Sequence, residues 1–226
     1  MLILDENQTR LALEDSLSNT HNKLVVLSAF IKLGALDWLK KQLKNTTIEV
    51  VVVARWGLDD LVSQVSDLTV FKRCQELGWT FKVDERLHAK LFLIDSSVAF
   101  VGSSNLTGAG LGLTEKSNFE LSTKTKVTDI DVDKVHKYLD SCRTMTDDLY
   151  NQMKSFVDSI DPPKRTPYKW PPSIKNLLEQ KVDYLWVDEL LFTSPNSNDD
   201  DDIRHDSSLL EVDRLDIDID LLRAKF

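Results

Sequence analysis

HAKLFLIDSSVAFVGSSN, residues His88 to Asn105, sets reactive side chains at a spacing met nowhere else in the chain. Two short apolar runs flank Ser96-Ser97, a pattern that predicts strand, tight turn, strand. Alternate side chains of a strand share a face. His88 and Lys90 are therefore expected to point the same way, and Ser103 and Asn105 likewise. Such a pocket would hold a nucleophile, a cation and two neutral hydrogen-bonding groups.

Working outward, Lys23 to Phe30 (KLVVLSAF) and Ile48 to Ala54 (IEVVVVA) are near-continuous apolar runs, as expected of strands buried on both faces. Leu36, Leu39 and Leu43 fall between them at helical spacing, so the segment predicts a βαβ unit. Asp5 or Asn7 could cap an opening helix that ends by Ser18. A further helix is expected between Leu68 and Leu77, and strands at Trp79 to Val83 and Asn118 to Ser122. Two more helices are expected at Asp129 to Cys142 and Met145 to Ile160. The segment 161–172 carries five of the six prolines and reads as a stiff connector. Beyond it, a helix over Ile174 to Gln180 and a strand over Val182 to Val187 would close a domain spanning residues 1–193.

The 226 residues suffice for one sizeable core, and 42% hydrophobic with 29% charged residues is ordinary for a globular chain. MLILDENQTRLALEDSL has no basic lead and no long apolar run, and no stretch is apolar enough to span a bilayer. A cytoplasmic protein without a membrane partner is expected. Cys74 and Cys142 lack any CxxC or His companions and read as reduced, buried thiols. The net charge is -9, but from Pro195 onward there are ten acids and four bases, which leaves 27 acids against 24 bases before it. The acidity belongs to a tail, 194–226, expected to be polar and partly disordered. Its alternating LDIDID, inside a candidate docking segment 208–224, suggests attachment to the body, to a second copy or to a protein partner. A tail that imitates phosphate and covers the site is a further reading.

The offsets H-x-K-x4-D-x6-G-S-x-N are met by His88, Lys90, Asp95, Gly102, Ser103 and Asn105, a pattern far more specific than a short motif alone. The chain thereby resembles the phospholipase D superfamily, and the flanking order of strands and helices agrees over about residues 20–160. More weakly, LVVLSAFI and VVVARWGLDDL resemble single-motif members associated with restriction and helicase systems. The resemblance implies an α/β/α sandwich with a mixed, mostly parallel central sheet and helices on both faces.

The chemistry of the motif stands on its own. An anionic phosphodiester needs a positioned nucleophile, charge neutralisation and a proton donor for the leaving oxygen. His88 supplies the nucleophile, and the resemblance implies a phosphohistidine. Lys90 would hold a phosphate oxygen as a point charge. Ser103 and Asn105 would add neutral hydrogen bonds, with Gly102 allowing close approach of the backbone. Asp95 falls on the opposite strand face and reads as structural, bonding turn backbone. An imidazole nucleophile also needs an acceptor on its other nitrogen. Superfamily members carry an acid on the strand after the motif, which matches Glu120; Glu115, in the glycine-rich loop, is the less favoured alternative.

Complete superfamily sites use two motifs, and this chain has one. His21-Asn22-Lys23 repeats the opening but lacks the Asp and the GSxN. The proton donor is expected from a second copy, in a homodimer with its two-fold axis through the site. Otherwise a degenerate half-site lies within one chain, with Arg55 touching phosphate, unless Arg55 is simply a surface residue beside Trp56. No cofactor and no metal are implied. These features suggest a metal-independent DNA endonuclease of a restriction or phage-defence system, with RNA as an alternative substrate. The alternatives are a non-cleaving subunit that binds phosphate and recruits a helicase, methylase or specificity partner, and a phospholipase-type enzyme. Basic clusters at Lys40, Lys41 and Lys44, at Lys72 and Arg73, at Lys124 and Lys126, and at Lys164, Arg165 and Lys169 are candidate backbone contacts or solvated faces.

Overall fold

The computed structural model describes residues 3–161 and 169–179. The chain forms two compact units, Met1–Arg165 and Thr166–Phe226. The first unit runs β1 (Ile3–Asp5), α1 (Glu6–Ser18), β2 (Lys23–Ser28), α2 (Leu33–Gln42), β3 (Glu49–Ala54), α3 (Leu58–Val62), α4 (Thr69–Glu76) and β4 (Thr80–Val83). It continues with β5 (Lys90–Ile94), β6 (Val98–Gly102), β7 (Leu121–Lys126), α5 (Asp129–Ser141), β8 (Arg143–Thr144) and α6 (Asp147–Asp158). In the second unit the described element is α7 (Pro172–Glu179). The strand expected at Val182 to Val187 and the acidic tail lie outside the described residues.

Eight strands form one sheet in the order β1-β7-β6-β5-β2-β3-β4-β8. The α/β class, the mixed sheet and the helices on both faces agree with the expectation, but the balance of pairing does not. β2–β3 and β3–β4 are parallel, whereas β1–β7, β7–β6, β6–β5, β5–β2 and β4–β8 are antiparallel. A parallel neighbour needs a long crossover, which α2 and then α3 with α4 provide; the motif hairpin β5–β6 is joined by a tight turn that can only reverse the chain.

Strand alternation divides the core into two layers. Leu24, Val26, Val50, Val52, Phe92 and Phe100 face one side, where α1, α2, α4 and α6 pack through Leu13, Leu36, Phe71 and Tyr150. Val25, Leu27, Val51, Val53 and Leu93 face the other, where α5 packs through Leu139. The helical cover is therefore lopsided. Asp5, not Asn7, caps α1: its carboxylate accepts the N–H of Gln8 at 2.8 Å, and the Gln8 side chain returns a bond to the Asp5 N–H at 3.2 Å. No described helix is long and apolar enough to cross a membrane.

The sheet order brings the motif to one end. Ser28, last residue of β2, pairs with Lys90, first of β5, and Ala54, last of β3, pairs with Ser28. The carboxyl ends of the parallel strands thus meet the start of β5 at the place where the sheet's order reverses, the position where open α/β sheets form crevices.

Candidate active site

His88 does not sit in a strand, contrary to the sequence reading, because β5 begins at Lys90, where pairing with β2 ends. It stands exposed on the loop that joins β4 to β5. Leu87 anchors that loop, being buried and donating its N–H to the Asp84 carbonyl at 2.9 Å. The Asp84 carboxylate accepts from the Arg86 backbone N–H at 3.0 Å and from its Nε at 3.2 Å, and these bonds hold it below the usual carboxylate range. Lys90 reaches back along the chain, its Nζ donating to the His88 carbonyl at 2.7 Å. A cavity of about 720 Å³ is lined by Leu27, His88, Lys90, Gly102, Ser103 and Asn105. Four of the motif residues named for chemistry are thereby brought to one cavity.

Asn105 is oriented from across the sheet. Its Oδ1 accepts the Phe30 backbone N–H at 3.2 Å, which a side-chain NH₂ could not do, so the amide flip is decided. Nδ2 has no hydrogen-bond partner among the described residues and lies at the cavity. Ser28 stands behind this contact. Its buried Oγ donates to the Phe30 carbonyl at 2.7 Å, accepts the Leu106 N–H at 2.8 Å and lies 3.4 Å from Asn105 Oδ1. Sequence reasoning missed Ser28, although a hydroxyl at the end of an otherwise apolar strand core was its signal.

Ser103 and Glu120 form a second coupled pair. The Ser103 hydroxyl donates to the Glu120 carboxylate in a short contact and accepts the Leu121 N–H at 3.1 Å. Glu120 is only 7% exposed, sits just before β7 rather than within it, and also accepts from Asn118 Nδ2 at 3.0 Å. Among the described residues its hydrogen bonds go to Ser103 and Asn118, not to His88. Glu115 is exposed on the loop. Burial pushes the Lys90 ammonium below its ordinary value, the Glu120 charge opposes that shift, and Arg55 adds to it. Lys90 therefore senses both side chains.

Arg55, just past the end of β3, does not line the motif cavity. Its Nε and Nη2 donate to the Asp60 carboxylate at 2.6 and 2.7 Å, and its guanidinium lies 4.7 Å from the Phe30 ring centroid. Asp60, buried on α3, was missed because α3 has only five residues and too short a periodicity to register.

Gly102 explains itself sterically. A Cβ there would meet the Leu121 carbonyl oxygen and the Ser122 Cβ at 2.4 Å, so the close approach it permits is that of β7. Asp95 and Ser96, not Ser96-Ser97, are the turn residues with positive φ, +48° and +53°. The Asp95 carboxylate bonds backbone, but not that of its own turn. It accepts the N–H groups of His21, Asn22 and Lys23 at 2.9, 2.8 and 3.0 Å. Burial raises its affinity for a proton, and the three donors together outweigh that and lower it. His21-Asn22-Lys23 is thus a clamped loop at the far end of β2 from His88.

Of the basic clusters, Lys72 pairs with Asp147, Arg73 pairs with Asp37 and Glu76, and Lys124 donates to Ser16. No group of three or more potential metal ligands occurs among the described residues.

The family model described as "Cardiolipin synthase, PLD-like domain" matches residues 6–143. A search of curated proteins gives no match. Among solved structures, phosphatidylserine synthase of Haemophilus influenzae superposes with a TM-score of 0.52 at 12% identity, over 76% of this chain and 46% of that one. Nuc of Salmonella typhimurium, described as a phospholipase D family member, gives 0.48 at 15% identity over 64% and 96%. NucT of Helicobacter pylori gives 0.46 at 15% identity over 64% and 100%. The first of these shares the fold.

Proposed function

Since this chain belongs to the phospholipase D superfamily, we propose that it is a metal-independent phosphodiesterase acting on DNA, with His88 as nucleophile and its site completed by a second copy. The observation that carries this reading is the cavity itself. An exposed imidazole, the Lys90 ammonium and the Asn105 Nδ2 converge on it, and among the described residues no second histidine lines it to protonate a leaving group.

An imidazole nitrogen of His88 attacks phosphorus; the N–P bond forms as the P–O bond to the leaving group breaks. The departing oxygen takes a proton from the imidazolium of His88 of the partner subunit. Water then attacks the phosphohistidine, the partner's His88 accepts its proton, and the N–P bond breaks to regenerate the nucleophile. Lys90 and Asn105 hold the phosphoryl oxygens throughout.

An uncovered apolar strip beside the cavity supports the sharing of the site. Ile3, Thr123, Val101, Leu91 and Leu27 lie side by side in register across β1, β7, β6, β5 and β2. Leu121, two residues before Thr123, shares their face. Ile3, Val101 and Leu121 are 63%, 46% and 44% exposed, although Leu27 and Leu91 of the same row line the catalytic cavity. Apolar surface so placed is suited to a self-complementary contact. A restriction or phage-defence role draws on the weaker resemblance of LVVLSAFI and VVVARWGLDDL.

The test is cleavage of plasmid DNA in EDTA by wild type, abolished in His88→Ala, with the oligomeric state measured alongside. Intact DNA and intact model phosphodiesters with a dimeric wild-type protein would sink the enzymatic reading in favour of a phosphate-binding subunit.

A further inference from the structure

Arg55, Arg86 and Arg143 come from three separated parts of the chain and line one cavity of about 430 Å³. The short edge strand β8 makes this convergence: its antiparallel pairing with β4 sets Arg143 opposite Val83, at the same end of the sheet as the motif. The cavity does not stand alone. Asp84 and Arg86 also line a neighbouring cavity of about 410 Å³ whose wall includes His88 and Lys134, and His88 in turn lines the catalytic cavity. Shared wall residues set the three cavities next to one another, a broken trench from Ser103 and Asn105, past His88, to Arg143.

The donors along the far part of the trench are only partly committed. Arg55 holds Asp60 through Nε and Nη2, which leaves Nη1. Arg86 is tied to the largely buried Asp84 carboxylate through Nε and Nη2 at 3.2 and 3.3 Å, while its own side chain is 80% exposed, which leaves Nη1 facing water. Arg143 is exposed and has no ion-pair partner among the described residues. Trp56, at φ +45°, lines the same cavity, and its indole N–H is buried without an acceptor among the described residues. Buried donors without partners are rare in folded proteins.

We propose that this cavity is a second phosphate subsite, with Arg143 as its principal cation, and that it takes a phosphate flanking the scissile one on a nucleic-acid strand. A single phosphodiester seated at His88 would leave the distal arginines unused. A polymer with a phosphate at every step would follow the trench and meet both sites. The acids Asp84 and Glu85 on the same wall keep the trench from being a general anion sink, so the strand is held at discrete points rather than by diffuse charge. The inference rests on the phosphodiesterase reading only in locating the scissile phosphate at His88.

The test needs no turnover. Binding of a short single-stranded oligonucleotide to His88→Ala protein is followed by fluorescence anisotropy across a salt series, with and without a second substitution at Arg143. Loss of one phosphate contact is expected to flatten the slope of log K against log salt by about 0.7, equivalent to about a fivefold loss of affinity at roughly 0.1 M salt. Arg143→Lys should keep the slope, since a point charge still releases a counterion, and Arg143→Glu should lose more than Arg143→Ala. An unchanged slope in Arg143→Ala overturns the subsite, as does failure of the parent to bind the oligonucleotide at low salt. Binding of anionic phospholipid vesicles that depends on Arg143, where oligonucleotide binding does not, overturns it too. If wild type cleaves nothing yet Arg143→Ala flattens the slope, the enzymatic reading fails and the subsite stands. If wild type cleaves and the slope is unchanged, the reverse holds.

Discussion

Oδ1 of Asn105 is held by the backbone N–H of Phe30 at 3.2 Å, a contact between residues 75 apart in sequence that decides which end of the amide faces the cavity. Asn105→Asp keeps the acceptor for Phe30 but exchanges the outward donor for an anion. The expected result is a fall in kcat of about 10²–10³-fold, the size found when one preorganised donor is removed. Ser28→Ala acts one step further back, leaving the buried Leu106 N–H without its acceptor. It should cost about 1–3 kcal/mol of stability and lower kcat more than it raises KM. Steady-state kinetics and denaturant titration check both variants.

Glu120 and Lys90 are electrostatically coupled, and the pH profile should report it. Burial lowers the Lys90 pKa and the Glu120 charge opposes that. Activity that needs the ammonium is present below the Lys90 pKa and lost as pH rises through it. Glu120→Gln removes the opposing charge, so the alkaline limb of the pH–rate profile should move to lower pH. An alkaline limb in the same place would separate Lys90 from Glu120.

Gly102 and Gly34 make a matched pair. Gly102→Ala drives a methyl group into the β7 backbone at 2.4 Å and should cost about 1–3 kcal/mol while disturbing Ser103. A methyl group added at Gly34, in the first turn of α2, would meet nothing within 4 Å among the described residues. Gly34→Ala should be neutral or stabilising by about 0.5 kcal/mol. Thermal melts distinguish the two directions.

Asp95 clamps the start of β2, and its contribution should depend on pH with a definite sign. Its folded pKa is lowered, so the stabilisation is present above the unfolded value of about 3.9 and lost as pH falls through the lower folded value. Asp95→Asn should be less stable than wild type by about 1–3 kcal/mol at pH 7, and the gap should close in acid. Denaturant unfolding at neutral and acidic pH measures both ends.

What local pattern carries was legible in the chain. The apolar runs became β2 and β3, the spacing of Leu36 and Leu39 became α2, and the offsets of His88, Lys90, Ser103 and Asn105 named the residues that share a cavity. Reading stopped where contacts are set by sheet order. Ser28 behind Asn105, Asp95 on the backbone of His21 to Lys23, and Arg143 beside Arg55 each join parts of the chain more than 70 residues apart. β1 and β8, of three and two residues, are too short to show any periodicity, and they exist because a neighbouring edge offers hydrogen bonds. The sequence determined which side chains make up the motif, because a motif is a matter of residue type and spacing. The tertiary structure decided how they are held and what lies next to them, because pairing between distant segments depends on which strands become neighbours.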